Sequence, residues 1–201
     1  MVAIVNYGVG NLFSLVCSFR EIGEPAVVTA DPSEIRRADR ILLPGVGAFA
    51  DAIAKLRKTG LDQTLFEEAE KGKPFLGICL GMQLLFEKSF EYGEHRGLGW
   101  LPGEVRYLEG SEKSGMKVPH MGWNALHFSR DAPLFRGIPE GSCVYFVHSY
   151  QAENCPFVVA TAEYGVPVTA AVRKDNIYGC QFHPEKSGRV GLEMLRNFTQ
   201  I

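Results

Sequence analysis

With 201 residues, 46% of them hydrophobic and 22% charged, the chain has the composition of a globular protein long enough for one large core. Its 21 basic and 23 acidic residues leave a net charge of −2, and no basic run exceeds Arg36-Arg37, which argues against nucleic-acid or anionic-membrane binding. Five scattered cysteines with no C-x-x-C pair argue against a disulfide framework or a zinc site; with no charged leader before Arg20 and no apolar run near the ~18 residues of a membrane span, a cytoplasmic setting is expected.

In chain order, Val2–Val5 reads as a short buried strand running into the turn Asn6-Tyr7-Gly8-Val9-Gly10-Asn11. Leu12, Leu15, Val16 and Phe19 then recur at helical spacing until Gly23. The turn carries G-x-G, but Phe13 stands where a third glycine would complete G-x-G-x-x-G, so no dinucleotide cofactor is expected. A strand at Ala26–Thr29, a helix start at Asp31-Pro32-Ser33-Glu34 and a strand at Arg40–Leu43 follow, the last ending at Pro44-Gly45-Val46-Gly47. Helices over residues 48–58 and 61–71 lead to a strand at Phe75–Ile78. Such β-α alternation predicts a parallel sheet covered on both faces, with ligands gathered at the carboxyl ends of its strands.

The change from strand to helix period falls on Cys79, with Gly77 and Gly81 two residues to either side; Leu80 onward reads as helix, with Met82, Leu84, Leu85 and Phe86 as its apolar residues. A strand that turns sharply into a helix strains its central residue, and small neighbours relieve the crowding, as in the G-x-S-x-G nucleophile elbow. An unperturbed thiol is only about 3% ionised at neutral pH, and a helix N-terminus favours the thiolate. From these residues alone a buried, inert cysteine remains the alternative.

Residues 88–103 read as a glycine-rich loop. Strand candidates follow at 104–108, 124–128, 143–147, 158–163, 168–173 and 177–182, with turns at 137–141 and 164–167 that suggest hairpins, and a helix over 190–198 closes the chain. No repeat or linker interrupts the sequence, and residues 1–201 read as one domain. Within Gln181-Phe182-His183-Pro184-Glu185-Lys186, His183 and Glu185 stand two apart, so in an extended chain both face one way and the carboxylate can hold the imidazole in one tautomer. A solvated turn is the bland alternative. Of the other histidines, His148 at the end of an apolar strand reads as structural or binding, His120 as a surface contact, and His95 and His127 carry no signal.

Gly77-Ile78-Cys79-Leu80-Gly81-Met82-Gln83, His183-Pro184-Glu185 and Pro44-Gly45-Val46-Gly47 together resemble the class I (triad) glutamine amidotransferases. Asn6–Leu12, Pro119–Asn124, Phe146–Tyr150 and His183–Gly188 are similar to the branch that serves as glutaminase subunits of imidazole glycerol phosphate synthases. The resemblance runs from residue 2 to the last helix. It implies a flavodoxin-like α/β fold, with a mostly parallel central sheet, helices on both faces and an antiparallel portion in the second half.

It also implies residue roles. Cys79 is the expected nucleophile, His183 its acid–base partner and Glu185 the group that orients the imidazole. The N–H of Leu80 and one near Val46 and Gly47 are the expected oxyanion donors, with the glycines around Val46 allowing that peptide to rotate. Gln83, Glu91 and main-chain groups of Ser149 and Tyr150 are expected to hold glutamine. The implied partner is a (β/α)8-barrel cyclase that receives the ammonia and makes imidazole glycerol phosphate, contacted by Asn11, Met121, Trp123 and Lys186; for Trp123, burial in the protein's own core is the competing expectation. A related subunit feeding another synthase, and a non-catalytic module of the same fold, are the alternatives.

Overall fold

The computed structural model describes residues 1–201, and its first half follows the expected alternation: β1 (Val2–Val5), α1 (Leu12–Glu21), β2 (Ala26–Thr29), α2 (Pro32–Arg37), β3 (Arg40–Leu43), α3 (Phe49–Lys58), α4 (Leu61–Glu70) and β4 (Phe75–Ile78). Successive side chains of a strand point to opposite faces, and here each face has its own core. Val2 and Ile4, with Leu42, Leu76 and Ile78, pack under Leu15 and Phe19 of α1. Ala3 and Val5, with Ile41, Leu43 and Phe75, pack under Ile35 of α2, Ile53 and Leu56 of α3 and Leu65 of α4. The continuous apolar runs of these strands are thus explained by burial on both sides. Asp31 caps α2, its carboxylate accepting from the Ser33 N–H at 2.8 Å, with Pro32 at the first helical position.

After β4 come α5 (Leu80–Gln83), β5 (Phe86–Ser89), β6 (His95–Arg96), β7 (Leu101–Tyr107), α6 (Glu109–Lys113), β8 (His120–Ala125) and β9 (His127–Phe128). Then follow β10 (Cys143–His148), β11 (Tyr150–Glu153), β12 (Val158–Glu163), β13 (Pro167–Lys174), β14 (Ile177–Cys180) and α7 (Gly188–Thr199). The helix expected from Leu80 through Phe86 stops after one turn. The carbonyls of Leu84, Leu85 and Phe86 accept hydrogen bonds from Leu98, Trp100 and Gly99, so they cannot continue the helix, and Phe86 opens a strand instead. For the same reason the stretch expected as a loop, 88–103, contributes to β5, β6 and β7, which with β11 form a four-stranded sheet.

The main sheet has eight strands in the order β2-β1-β3-β4-β14-β13-β12-β9. The first five are parallel and the last three antiparallel. The turn at 164–167 closes the expected β12–β13 hairpin, whereas the turn at 137–141 does not join a hairpin: β9 pairs with β12, and β10 pairs with β8 in a separate two-stranded ribbon. No helix is long and apolar enough to cross a membrane.

The carboxyl ends of β3 and β4 meet through glycines. A Cβ on Gly45 would lie 2.6 Å from the Gly81 nitrogen, one on Gly77 2.7 Å from the Gly81 carbonyl oxygen, and one on Gly81 would collide with the Leu43 carbonyl. Gly81→Ala is therefore expected to cost about 3 kcal/mol or more of stability, because backbone rather than a flexible side chain blocks the added methyl. Urea unfolding of the full chain measures this.

Candidate active site

The contact between β3 and the start of α5 fixes the geometry of residue 79. Cys79 adopts φ 54 and ψ −113, a conformation non-glycine residues rarely hold and one worth about 1–3 kcal/mol of strain. The thiol lies at the carboxyl edge of the parallel sheet, 7% exposed, at the floor of a cleft of about 570 Å³. The expected elbow is present, but its helix has only four residues. So short a helix carries little macrodipole, and the neighbouring imidazole supplies the positive partner instead.

His183 and Glu185 do meet, by a different route from the extended strand expected. The strand ends at Cys180, and residues 184–186 form a 3-10 turn that brings the Glu185 Oε1 to 2.8 Å from His183 Nδ1. The carboxylate accepts, so Nδ1 carries the proton, and Nε2 is the ring nitrogen left for the Cys79 sulfur, which lines the same cleft. Burial disfavours a charge on His183, but the neighbouring Cys79 and the bond to Glu185 outweigh it and raise its pKa to about 10. Both side chains are nearly inaccessible, and Glu185 Oε2 is buried without a partner. The His183 backbone is clamped as well: its N–H donates to the Tyr145 carbonyl, and the Ser187 hydroxyl donates to its carbonyl at 2.6 Å.

The cleft over Cys79 is lined by Val46, Gly47, Leu80, Gln83, Glu91 and the Ser149–Tyr150 segment. Gln83 donates to the Tyr150 carbonyl and to Gln181 Oε1, both at 2.9 Å, which commits its amide nitrogen to the protein. Tyr150 faces Tyr107 across β7 and β11, while the adjacent Leu108 N–H donates to Ser149. That places Tyr150 at a non-hydrogen-bonded position, with its main-chain groups turned away from β7. Glu91 is no freely solvated loop acid: one carboxylate oxygen takes the Phe49 N–H and caps α3. Gly47 has φ +91 with open space around it, whereas Gly45 is required by close approach to α5. Only Gly47 therefore has the conformational latitude expected of both glycines.

Met121 and Trp123 project outward from β8, 60% and 58% exposed, so the alternative of a core tryptophan is overturned. Trp123 stands edge-on to Tyr145 at 6.2 Å, and the exposed Lys186 ammonium is 5.7 Å from the same ring. Asn11 begins α1, which packs against the turn holding Lys186. These residues thus border the His183 turn from one side.

Three participants were not foreseen. Gln181 is fully buried and its amide donates to the Cys79 sulfur at 3.6 Å; it stands two before His183, the same spacing that singled out Glu185. Tyr7 donates to the Pro44 carbonyl at 2.8 Å and anchors the loop after β3, and burial raises its pKa. His120, expected on the surface, is 2% exposed and stacks between Phe146 and Tyr164, partners from remote segments that a local reading does not reveal.

Comparison with known proteins agrees with this geometry. The chain is 49% identical to the imidazole glycerol phosphate synthase subunit HisH of Caldanaerobacter subterraneus subsp. tengcongensis, covering 100% of this chain and 98% of the relative. It is 50% identical to the protein of the same name from Moorella thermoacetica, covering 100% and 94%. Among solved structures, that of PurLQS from Thermotoga maritima superposes with a TM-score of 0.74 over 99% of this chain and 97% of the other, at 19% identity, which speaks for the fold. Residues 3–201 match the family described as glutamine amidotransferase class-I, and with the cysteine elbow and its histidine in one cleft, the chain belongs to that family.

Proposed function

We propose that the chain, as one domain spanning residues 1–201, hydrolyses glutamine to glutamate and ammonia and passes the ammonia to a cyclase partner that makes imidazole glycerol phosphate in the cytoplasm. The observation that carries this reading is the buried Cys79–His183–Glu185 set opening on a cleft lined by Gln83, Glu91 and Tyr150. Full-length identity near 50% to imidazole glycerol phosphate synthase subunits HisH supports the pathway.

In this mechanism the Cys79 sulfur attacks the side-chain amide carbon of glutamine, and His183 transfers its proton to the departing nitrogen, releasing ammonia and leaving a thioester. Water then attacks the thioester with His183 as base, and glutamate leaves as the thiol is restored. Negative charge on the tetrahedral oxygen meets the N–H of Leu80 and an N–H at Val46 or Gly47; one such donor is worth about 2.7–4 kcal/mol. Gln83 Oε1 is the free end of an amide whose nitrogen is committed, and it accepts from the substrate. The Glu91 carboxylate, shared with Phe49, pairs with the substrate amino group.

Ammonia in water at neutral pH is mostly ammonium, which is not nucleophilic, so the product must reach the synthase shielded from solvent. The patch of Asn11, Met121, Trp123 and Lys186 beside the His183 turn is the docking face for that partner, with Trp123 as anchor.

Co-purification with the cyclase and a glutamine-dependent assay test the whole reading; recovery of a different synthase would reassign the pathway. Cys79→Ala in the assembled complex should lower glutamine turnover by about 10⁴-fold or more. Glu185→Gln should lower kcat by about 10²-fold or more. It should also move the alkaline limb of the rate profile downward, because that limb follows loss of the His183 proton, held near pH 10 in part by Glu185. Trp123→Ala should weaken partner binding by about 2 kcal/mol in isothermal titration while the isolated chain stays folded.

A further inference from the structure

A polar chain, buried at its two imidazoles and half-buried at its ends, leads from the glutamine cleft to β8, and its ends determine the direction of every hydrogen bond in it. At the cleft, His148 Nδ1 lies 2.9 Å from the Tyr150 carbonyl, which only accepts, so His148 carries its proton on Nδ1. At the far end, Asn124 is oriented by two bonds: its Oδ1 accepts from the Ala125 N–H at 2.8 Å and its Nδ2 donates to the Glu163 carbonyl at 2.9 Å. The second Nδ2 proton points to His120 Nε2 at 3.2 Å, which must therefore accept. His120 then carries its proton on Nδ1 and donates to His148 Nε2 at 3.0 Å. With both rings neutral, every bond has one donor and one acceptor; a proton added to either ring sets donor against donor.

We propose that the chain Asn124–His120–His148–Tyr150 is a positioning relay for glutamine recognition, working with both imidazoles uncharged. The proposal rests on the glutaminase reading above. The relay ends on the carbonyl that also receives the Gln83 amide, and through Gln83 and Gln181 it continues to the Cys79 sulfur. Moving the Tyr150 carbonyl would therefore move Gln83, whose free oxygen faces the cleft. Strand alternation gives β8 two faces: His120 points inward at 2% exposure, while Met121 and Trp123 stand 60% and 58% exposed. A partner seated on those two residues bears on the strand that carries two relay members.

The surroundings favour neutral rings. His120 is stacked between Phe146 at 4.6 Å and Tyr164 at 4.0 Å, and burial lowers its pKa to about 4. Burial lowers His148 to about 3 against the pull of the Tyr150 carbonyl, with charge on His120 or His183 lowering it further. The titratable groups facing the pair are thus His183, from the turn after β14, and the Tyr164 phenol, from the β12–β13 hairpin.

Nitrogen-15 NMR of histidine-labelled full chain at neutral pH reads the first part of the proposal. Both rings should be neutral with the proton on Nδ1; a charged ring, or an Nε2–H tautomer at His148, overturns the relay. Kinetics with glutamine in the partner complex read the second. His120→Phe keeps an aromatic ring but removes the donor, and should raise KM about tenfold, as one buried hydrogen bond left unmade would, with a smaller fall in kcat. Asn124→Asp, isosteric but reversed in polarity, should raise KM similarly, and His120→Asn, which keeps a donor, should recover most of the loss. Unchanged KM in folded His120→Phe overturns the proposal; should that variant not fold, Asn124→Asp and the tautomer measurement decide. Turnover surviving in Cys79→Ala would instead overturn the underlying glutaminase reading.

Discussion

The cleft exists because the loop after β3 and the turn after β4 touch backbone to backbone. Gly45, Gly77 and Gly81 leave no side chain between them, and in the space so removed the chain reverses from strand to helix within one residue. The strain at Cys79 is held by this contact and by the Cys79 N–H donating to the Cys180 carbonyl of β14 at 2.7 Å. β14 is also the strand from which His183 departs, so the interaction that holds the nucleophile in its unusual conformation registers it against its acid–base partner.

The parallel half of the fold was legible because each strand is a short apolar run ended by glycine, proline or a capping residue. Such signals are local, and tertiary packing reinforced them. The helix after Cys79 reads as longer than it is because Leu84-Leu85-Phe86 is a continuous apolar run with no period, equally suited to helix and strand. What decided it was the competition of Leu98–Trp100 for carbonyls, which no local pattern carries. The pairing of β8 with β10 was hidden for a related reason: the intervening turn resembles a hairpin turn but joins strands that belong to different sheets.

At the site, the cysteine, histidine and glutamate were legible as motifs, although the last two meet through a 3-10 turn rather than strand alternation. The supporting amides and imidazoles were less so. Gln181, His120 and His148 owe their roles to burial among residues far away in sequence, and a polar residue under full burial must find partners wherever the fold brings them. Together these groups make the cleft wall a hydrogen-bonded lattice, with Gln83 as the node between sulfur and relay.

The β8–β10 ribbon stands apart from both larger sheets, two strands wide. The ribbon has no third strand, and its outer hydrogen bonds run to the turn after β14 instead: the Tyr145 carbonyl accepts from the His183 N–H, and the Tyr145 N–H donates to the Ser187 hydroxyl. The outer edge of β8, with no strand beyond it, is therefore expected to exchange its amides faster than β1, β3 and β4, each of which lies between two strands. The outward aromatic and the inward imidazole of one strand thus sit on an edge with no strand beyond it, and whatever covers β8 slows the exchange of its amides.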